Sequence, residues 1–286
     1  MERLPDLTAD AERVARAALQ EDGPRDLTTE TVLSAARVAQ ARLEYRRGGV
    51  VAGLAYASAV TRLAGCTAHW DSREGDWVEG PHGRLVGDLA AILRAERPLL
   101  NLLQRATGIA TATRSFVAAV AGTRCRVLHT RKTAPGLRLF DVAAVVAGGG
   151  EVHRLDLART VMVKDNHWKA LAAEGRTLAA VLERARTRGA SSLQVEVESA
   201  AQVEAACAAG ADRLLVDNQD PPTVEAWGAL ARGILPGILV EATGGITLEN
   251  VRAYALAGAD FVSVGTLTHS VMAADIALEL DPGDHA

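Results

Sequence analysis

From about residue 110 onward the sequence alternates short apolar runs with helical segments. The runs are "RVLHT", "TVMVKD", "LQVEVE", "RLLVD", "ILVEAT" and "FVSVG", and stretches such as "AAQVEAACAAG" and "TLENVRAYALAG" separate them. A strand apolar on both faces must be covered on both faces. Helical crossovers do this and make neighbouring strands parallel. Six such units predict a barrel or partial barrel rather than a short open sheet. No internal repeat or low-complexity linker interrupts them.

The first third has a different texture. Residues 1–20 read as an amphipathic helix closed by the turn-rich "EDGPRD". From about Thr29 to Leu93, short strands and turns surround one helical piece, "LAYASAVTRLAG". "ERPLLNLLQRATGIATATRSFVAAVAG" then reads as a long helix with small residues along one face. The predicted organisation is α/β: an N-terminal α+β domain over 1–110, then an α/β barrel over 111–286, with the long helix as the joint. A final helix is expected to pack back on the first domain.

Composition narrows the function classes. The net charge of −4 argues against a general nucleic-acid or membrane-surface binder, which would carry a basic excess. Cys66, Cys125 and Cys207 are far apart, with no C-x-x-C pair, so a reducing compartment is expected. The opening "MERLPDLTAD" has no apolar h-region, and no apolar run reaches the ~18 residues of a membrane span. The expectation is a cytoplasmic protein with no nucleic-acid or membrane partner.

Polar residues gather at the C-terminal ends of the strand candidates, where α/β barrels carry their active sites. Arg131 and Lys132 follow the first, and Lys164, Asp165, Asn166 and His167 follow the second. Glu196 and Glu198 end the third, and Asp217 and Asn218 the fourth. Glu241 and Thr243 end the fifth, before Gly244 and Gly245; Gly265, Thr266 and His269 follow the sixth. The last two turns, "TGGI" and "VGTLTHS", have the form of paired phosphate-binding turns, in which backbone N–H groups face an anion. The glycines of a lone "GG" would otherwise serve only a tight turn. Glu196 and Asp217 fit either of two roles. They could hold Mg²⁺ with the help of a substrate phosphate, or stabilise a developing positive charge; otherwise Glu196 simply pairs with a barrel lysine. Glu198 shares the side-chain parity of Glu196, and the sequence leaves open which of them faces inward. Arg131, Lys132, Arg138, His153, Arg154 and Lys164 are too many cations for one phosphate. They suit a small dianion, or a dicarboxylate plus a phosphorylated co-substrate. His129 reads as a packing or hydrogen-bonding residue.

Seven of these stretches occur in order: "TRKTAPGLR", "GGGEVHR", "VKDNH", "VEVES", "LLVDN", "EATGGITLENVRAYA" and "VGTLTHS". Together with "EDGPRDLTTE", "GVVAGL" and "AERPLLNLLQRATGIAT" upstream, the chain resembles quinolinate phosphoribosyltransferase over nearly its whole length. The resemblance implies an N-terminal α+β sandwich-like domain followed by an incomplete α/β barrel, in a homodimer or higher homo-oligomer whose subunits share the active site. It implies transfer of phosphoribosyl from phosphoribosyl pyrophosphate to quinolinate with loss of CO₂, and Mg²⁺ as cofactor. On this resemblance Arg131, His153, Arg154 and Lys164 take the dicarboxylate, and Arg97 comes from the partner chain. Lys132 meets the pyrophosphate. Glu196 and Asp217 face the ribose and metal. Thr243, Gly244, Gly245, Gly265 and His269 hold the 5′-phosphate.

Some positions depart from the family pattern. Glu151 stands where Asn is usual, Asp156 for Gly, Thr243 for Ser, Thr266 for Ala, and Pro98 for Thr. An extra carboxylate at Glu151 is expected to weaken substrate binding or alter its choice. The alternatives are therefore a paralogue using another pyridine carboxylate and a non-catalytic sensor of these ligands. Lys164 and Asp165 argue against the branch associated with molybdenum transport genes, and retention of Glu196 and Asp217 argues against the sensor.

Overall fold

The computed structural model describes residues 3–281. Its strands, in chain order, are β1 (Val38–Val50), β2 (Cys66–His69), β3 (Trp77–Asp88), β4 (Arg126–Leu128), β5 (Thr160–Val163), β6 (Ser192–Val197), β7 (Arg213–Asp217), β8 (Leu239–Thr243), β9 (Phe261–Ser263) and β10 (Ile276–Leu280). They form two sheets. One is antiparallel, in the order β10-β1-β3-β2; the other is parallel, in the order β4-β9-β8-β7-β6-β5.

The chain divides into two compact units, neither continuous in sequence. One contains Ser115–Arg131 and Glu151–Gly265, hence the whole parallel sheet. The other contains Arg3–Arg114, Lys132–Gly150 and residues 266–281, hence the antiparallel sheet.

All six apolar runs of the second half are strands, β4 to β9, each followed by a helical segment or the end of the unit. Their centres are stripped of solvent: Val195, Val197, Leu214, Val216, Val240, Ala242 and Val262 are each at most 1% exposed. Among the described residues no ladder joins β4 to β5, so the barrel is incomplete. One isolated parallel bridge, Leu128 to Glu151, borders β4.

In the other unit, β1 alternates, with Ala39, Ala41, Leu43 and Tyr45 buried and the residues between them mostly exposed. The long predicted helix runs Leu89–Ala119, and Ile92, Ala95, Leu99, Leu103 and Ala106 recur along its buried face at helical spacing.

The chain end differs from expectation. Instead of a final helix, residues after the short helix Thr266–His269 extend into β10, which pairs with β1 through Leu43–Leu278 and Tyr45–Ile276. "IALEL" is made mostly of good helix formers, but the edge of β1 offers it a ladder of backbone partners, and tertiary pairing outweighs intrinsic preference. The segment before it lies against the long helix. Ala274 N–H donates to the Gln104 carbonyl at 2.9 Å, and Gln104 Nε2 donates to the Ile276 carbonyl at 2.8 Å. Gly108 makes that approach possible, because a Cβ there would lie 2.2 Å from the Met272 carbonyl oxygen. The obstacle is backbone and cannot swing away. Gly108→Ala is therefore expected to cost about 1–3 kcal/mol, read as a lowered denaturant midpoint at unchanged slope. A midpoint equal to wild type would show that the tail yields freely.

Candidate active site

The C-terminal ends of the parallel strands carry the polar groups. Lys164 follows β5, and its Nζ meets Glu196 Oε2 of β6 at 2.7 Å. Glu196 is 6% exposed and its backbone carbonyl accepts from Trp168 Nε1 at 2.8 Å. Glu198 lies beyond the strand end and is exposed. The structure thus separates the two glutamates the sequence could not: Glu196 is the buried one, bound to lysine. Lys164 also precedes the helix Asp165–Ala173, and its own N–H donates to His167 Nδ1 at 2.9 Å. The "KDNH" run therefore turns the chain sharply at the strand end and holds the lysine backbone still.

Asp217 ends β7. Burial pushes its carboxyl above the usual range, and the neighbouring charge of Glu196 adds to this. Asn218 Nδ2 donates to Asp217 Oδ2 at 2.7 Å, and Asn218 N–H donates to the Thr243 carbonyl at 2.9 Å. Asn218 is the one non-glycine among the described residues with positive φ, at 53°. Its side chain lies over the turn after β8, where a Cβ on Gly244 would sit 2.2 Å from Asn218 Oδ1. Gly244 and Gly245 both have positive φ, 81° and 61°. Glycine at 244 is thus required both by backbone conformation and by the asparagine above it. Asn250 ties the turn from below, donating to the Gly245 carbonyl at 2.9 Å and accepting from Thr247 N–H at 2.8 Å. The structure brings Thr243, Gly244 and Asp217 together through Asn218, and Gly265 follows β9.

Deeper in the same unit lies a buried polar centre that sequence reasoning did not assign. Glu241 of β8 is fully buried. It meets His153 Nε2 at 3.2 Å and Arg213 NH1 at 2.9 Å, and accepts a short hydrogen bond from the Ser263 hydroxyl. Burial pushes its carboxyl up, but His153 and Arg213 outweigh that and hold it at about 2. Arg213 also stacks on Phe261, with 4.2 Å from guanidinium carbon to ring centre, and Arg126 stacks there at 4.7 Å. His153 is therefore anchored by a carboxylate on its Nε2 side. Its ring also meets His129 edge-on at 6.5 Å, and His129 is fully buried, with Nδ1 2.9 Å from the Thr130 carbonyl oxygen. Arg154 is buried and its NH1 reaches the Thr160 carbonyl at 3.4 Å. Arg131 has its Nε buried without a hydrogen-bond partner among the described residues. Glu151 is matched by Arg126, 3.3 Å from each carboxylate oxygen.

The remaining candidates belong to the other unit. Lys132 is exposed, with its backbone carbonyl accepting from the Thr268 hydroxyl at 2.9 Å. Arg138 opens the helix Arg138–Ala147. His269 is exposed, with Nδ1 2.6 Å from Ser270 Oγ. Arg97 lies on the long helix, its side chain 61% exposed and 4.0 Å from Glu96.

Models of the quinolinate phosphoribosyl transferase N-terminal and C-terminal domains match residues 26–107 and 109–279. The chain belongs to the quinolinate phosphoribosyl transferase family. Relatives in this family align over nearly the whole chain. The nicotinate-nucleotide pyrophosphorylase [carboxylating] of Mycobacterium leprae is 38% identical over 97% of this chain and 100% of its own length. The human protein of that name is 37% identical over 92% of this chain and 89% of its own. The solved structure of the nicotinate-nucleotide pyrophosphorylase from Francisella tularensis superposes with a TM-score of 0.90 at 27% identity, covering 98% of this chain and 100% of that one. Within the quinolinate phosphoribosyl transferase fold, no described helix is long and apolar enough to cross a membrane.

Proposed function

We infer that this chain is a carboxylating nicotinate-nucleotide pyrophosphorylase of NAD biosynthesis. It transfers the phosphoribosyl group of phosphoribosyl pyrophosphate to the nitrogen of quinolinate, releasing pyrophosphate and CO₂. The observation that carries this reading is the Lys164–Glu196 pair beside Asp217 on adjacent strand ends. A buried carboxylate held by a lysine, next to a second carboxylate, suits a sugar that becomes cationic in the transition state.

The chemistry follows from these groups. As the C–O bond to pyrophosphate breaks, positive charge grows on the ribose ring and anomeric carbon. Glu196 and Asp217 offset that charge in a site where water screens it poorly. The ring nitrogen of quinolinate then bonds to the anomeric carbon and becomes cationic. The adjacent carboxylate leaves as CO₂, and the electron pair left at the ring carbon is stabilised by the cationic nitrogen until it takes a proton. Arg131, His153, Arg154 and Lys164 orient the two carboxylates beforehand. The buried, unpartnered Nε of Arg131 supports that role. Thr243, Gly244, Gly245, Gly265 and His269 take the 5′-phosphate, and Lys132 takes the pyrophosphate.

No group of three or more His, Cys, Asp or Glu is arranged to hold a metal among the described residues. Glu196 and Asp217 are two hard oxygen donors, and Mg²⁺ takes only one or two protein carboxylates when phosphates and water supply the rest. They fit the cofactor in that manner. When bound, Mg²⁺ would neutralise charge on the leaving pyrophosphate. A homodimer or higher homo-oligomer sharing its sites is supported by Arg97, an arginine whose side chain is 61% exposed and lies 4.0 Å from Glu96. Three free, buried cysteines support a reducing cytoplasm.

The test is turnover. With phosphoribosyl pyrophosphate, Mg²⁺ and carboxyl-labelled quinolinate, labelled CO₂ and nicotinate mononucleotide should appear together. Turnover of another pyridine carboxylate but not quinolinate would overturn the substrate assignment.

A further inference from the structure

A further ion pair, with one partner fully buried, lies in the unit that carries Lys132 and His269. Asp141 is fully buried on the helix Arg138–Ala147. Arg105, on the long helix, grips it with both arms: Nε to Oδ1 at 2.9 Å and NH2 to Oδ2 at 2.8 Å. Two further segments hang on the pair. The Ala134 N–H donates to Asp141 Oδ2 at 2.9 Å, which fixes the chain two residues after Lys132. Arg105 NH2 also donates to the Thr268 carbonyl at 3.0 Å, which fixes the chain one residue before His269. Thr268 closes the circuit, its hydroxyl donating to the Lys132 carbonyl at 2.9 Å while its side chain is almost wholly buried.

Taking a carboxylate out of water is costly, and further hydrogen bonds to its oxygens and to the partner guanidinium help to offset that cost. Here the remaining valences go to the backbones beside two exposed side chains, Lys132 and His269. Neither Lys132 nor His269 is buried, so packing alone does little to fix either one. Thr268, Arg105 and Asp141 tie their backbones to each other. A phosphate-gripping cation loses effectiveness when it is about an ångström out of place.

We propose that Arg105, Asp141 and Thr268 are positioning residues that hold Lys132 and His269 at a fixed separation, so that one phosphoribosyl pyrophosphate is gripped by its diphosphate and its 5′-phosphate together. The proposal rests on the functional reading above. It adds three residues to which no ligand contact is assigned.

Thr268→Val is the discriminating variant. It keeps the β-branched shape and the backbone carbonyl that Arg105 uses, and removes only the hydroxyl. Direct binding of phosphoribosyl pyrophosphate should weaken about tenfold or more, the loss of one buried hydrogen bond to a positioned backbone. Its KM should rise while the KM for quinolinate stays within about twofold. Thr268→Ser should restore binding, because it restores the donor. An unchanged affinity in Thr268→Val, an equal loss for both substrates, or a failure of serine to rescue would each overturn the proposal. Affinity is read without turnover. A wild type that binds phosphoribosyl pyrophosphate yet releases no CO₂ from quinolinate would defeat the functional reading, while the valine and serine affinities would still decide this one.

Discussion

Glu241→Ala is expected to destabilise the protein by about 3–5 kcal/mol, the largest effect of any substitution proposed, because it strands the Arg213 guanidinium as a buried cation without its carboxylate and leaves His153 Nε2 without a partner on that side. Glu241→Gln keeps the shape and the acceptor for Ser263 but loses the charge, and should recover only part of that loss. The same group predicts an acid transition. Its folded pKa, held at about 2, lies below the ordinary value of 4.5. The resulting stabilisation, about 3 kcal/mol by linkage, is complete above pH 4.5 and is lost as pH falls from 4.5 towards 2. Urea midpoints measured across that window should fall steeply in wild type and much less in Glu241→Gln. Parallel curves for the two would show that Glu241 does not carry the acid sensitivity.

Glu196→Gln should produce the largest loss of activity at nearly unchanged stability. Removing one preorganised charge from a transition state of this kind lowers kcat by about 10²–10³. The fold should tolerate it, because Lys164 is 45% exposed and can turn to water once its partner is neutral. The pH profile gives a second readout. On the proposed mechanism Asp217 acts ionised, and its carboxyl is held above its usual range first by burial and then by Glu196. The acid limb of kcat/KM should therefore lie above the ordinary carboxylate range in wild type and move to lower pH in Glu196→Gln. An acid limb that stays in place, with kcat down, would mean that the two carboxylates are not electrostatically coupled.

The parallel strands were legible because their evidence is local. A run such as "RLLVD" is apolar at nearly every position and ends on a carboxylate, and no distant residue is needed to read it. The strand ends were legible for the same reason, which is how Lys164, Glu196 and Asp217 came to be named together. What remained hidden depends on register. Glu241 looked like one more polar strand end. That it points inward onto His153, and that Arg213 at the start of β7 stacks on Phe261, follows from which strands are neighbours. Glu196 and Glu198 share a parity, so only the end of the ladder separates them. Thr268 and Asp141 are ordinary residues in helical stretches. Their importance comes from carbonyls and N–H groups far away in sequence, which no side-chain pattern records. The C-terminal strand was missed because its pairing partner, β1, precedes it by more than 200 residues.

That last pairing sets an order of events during synthesis. β1 lies between β3 and β10 in its sheet, so the sheet begun by the first strand made is completed by the last. The segment Lys132–Gly150, too, joins the early-made unit only after the long helix has emerged. While the ribosome is still adding the parallel strands, the nascent N-terminal half must carry an open edge on β1, a site of unwanted association until the tail arrives. Chains that stall or are cut shortly before Ile276 would lose five residues of strand and with them the guard on that edge. They are the species in which aggregation should begin.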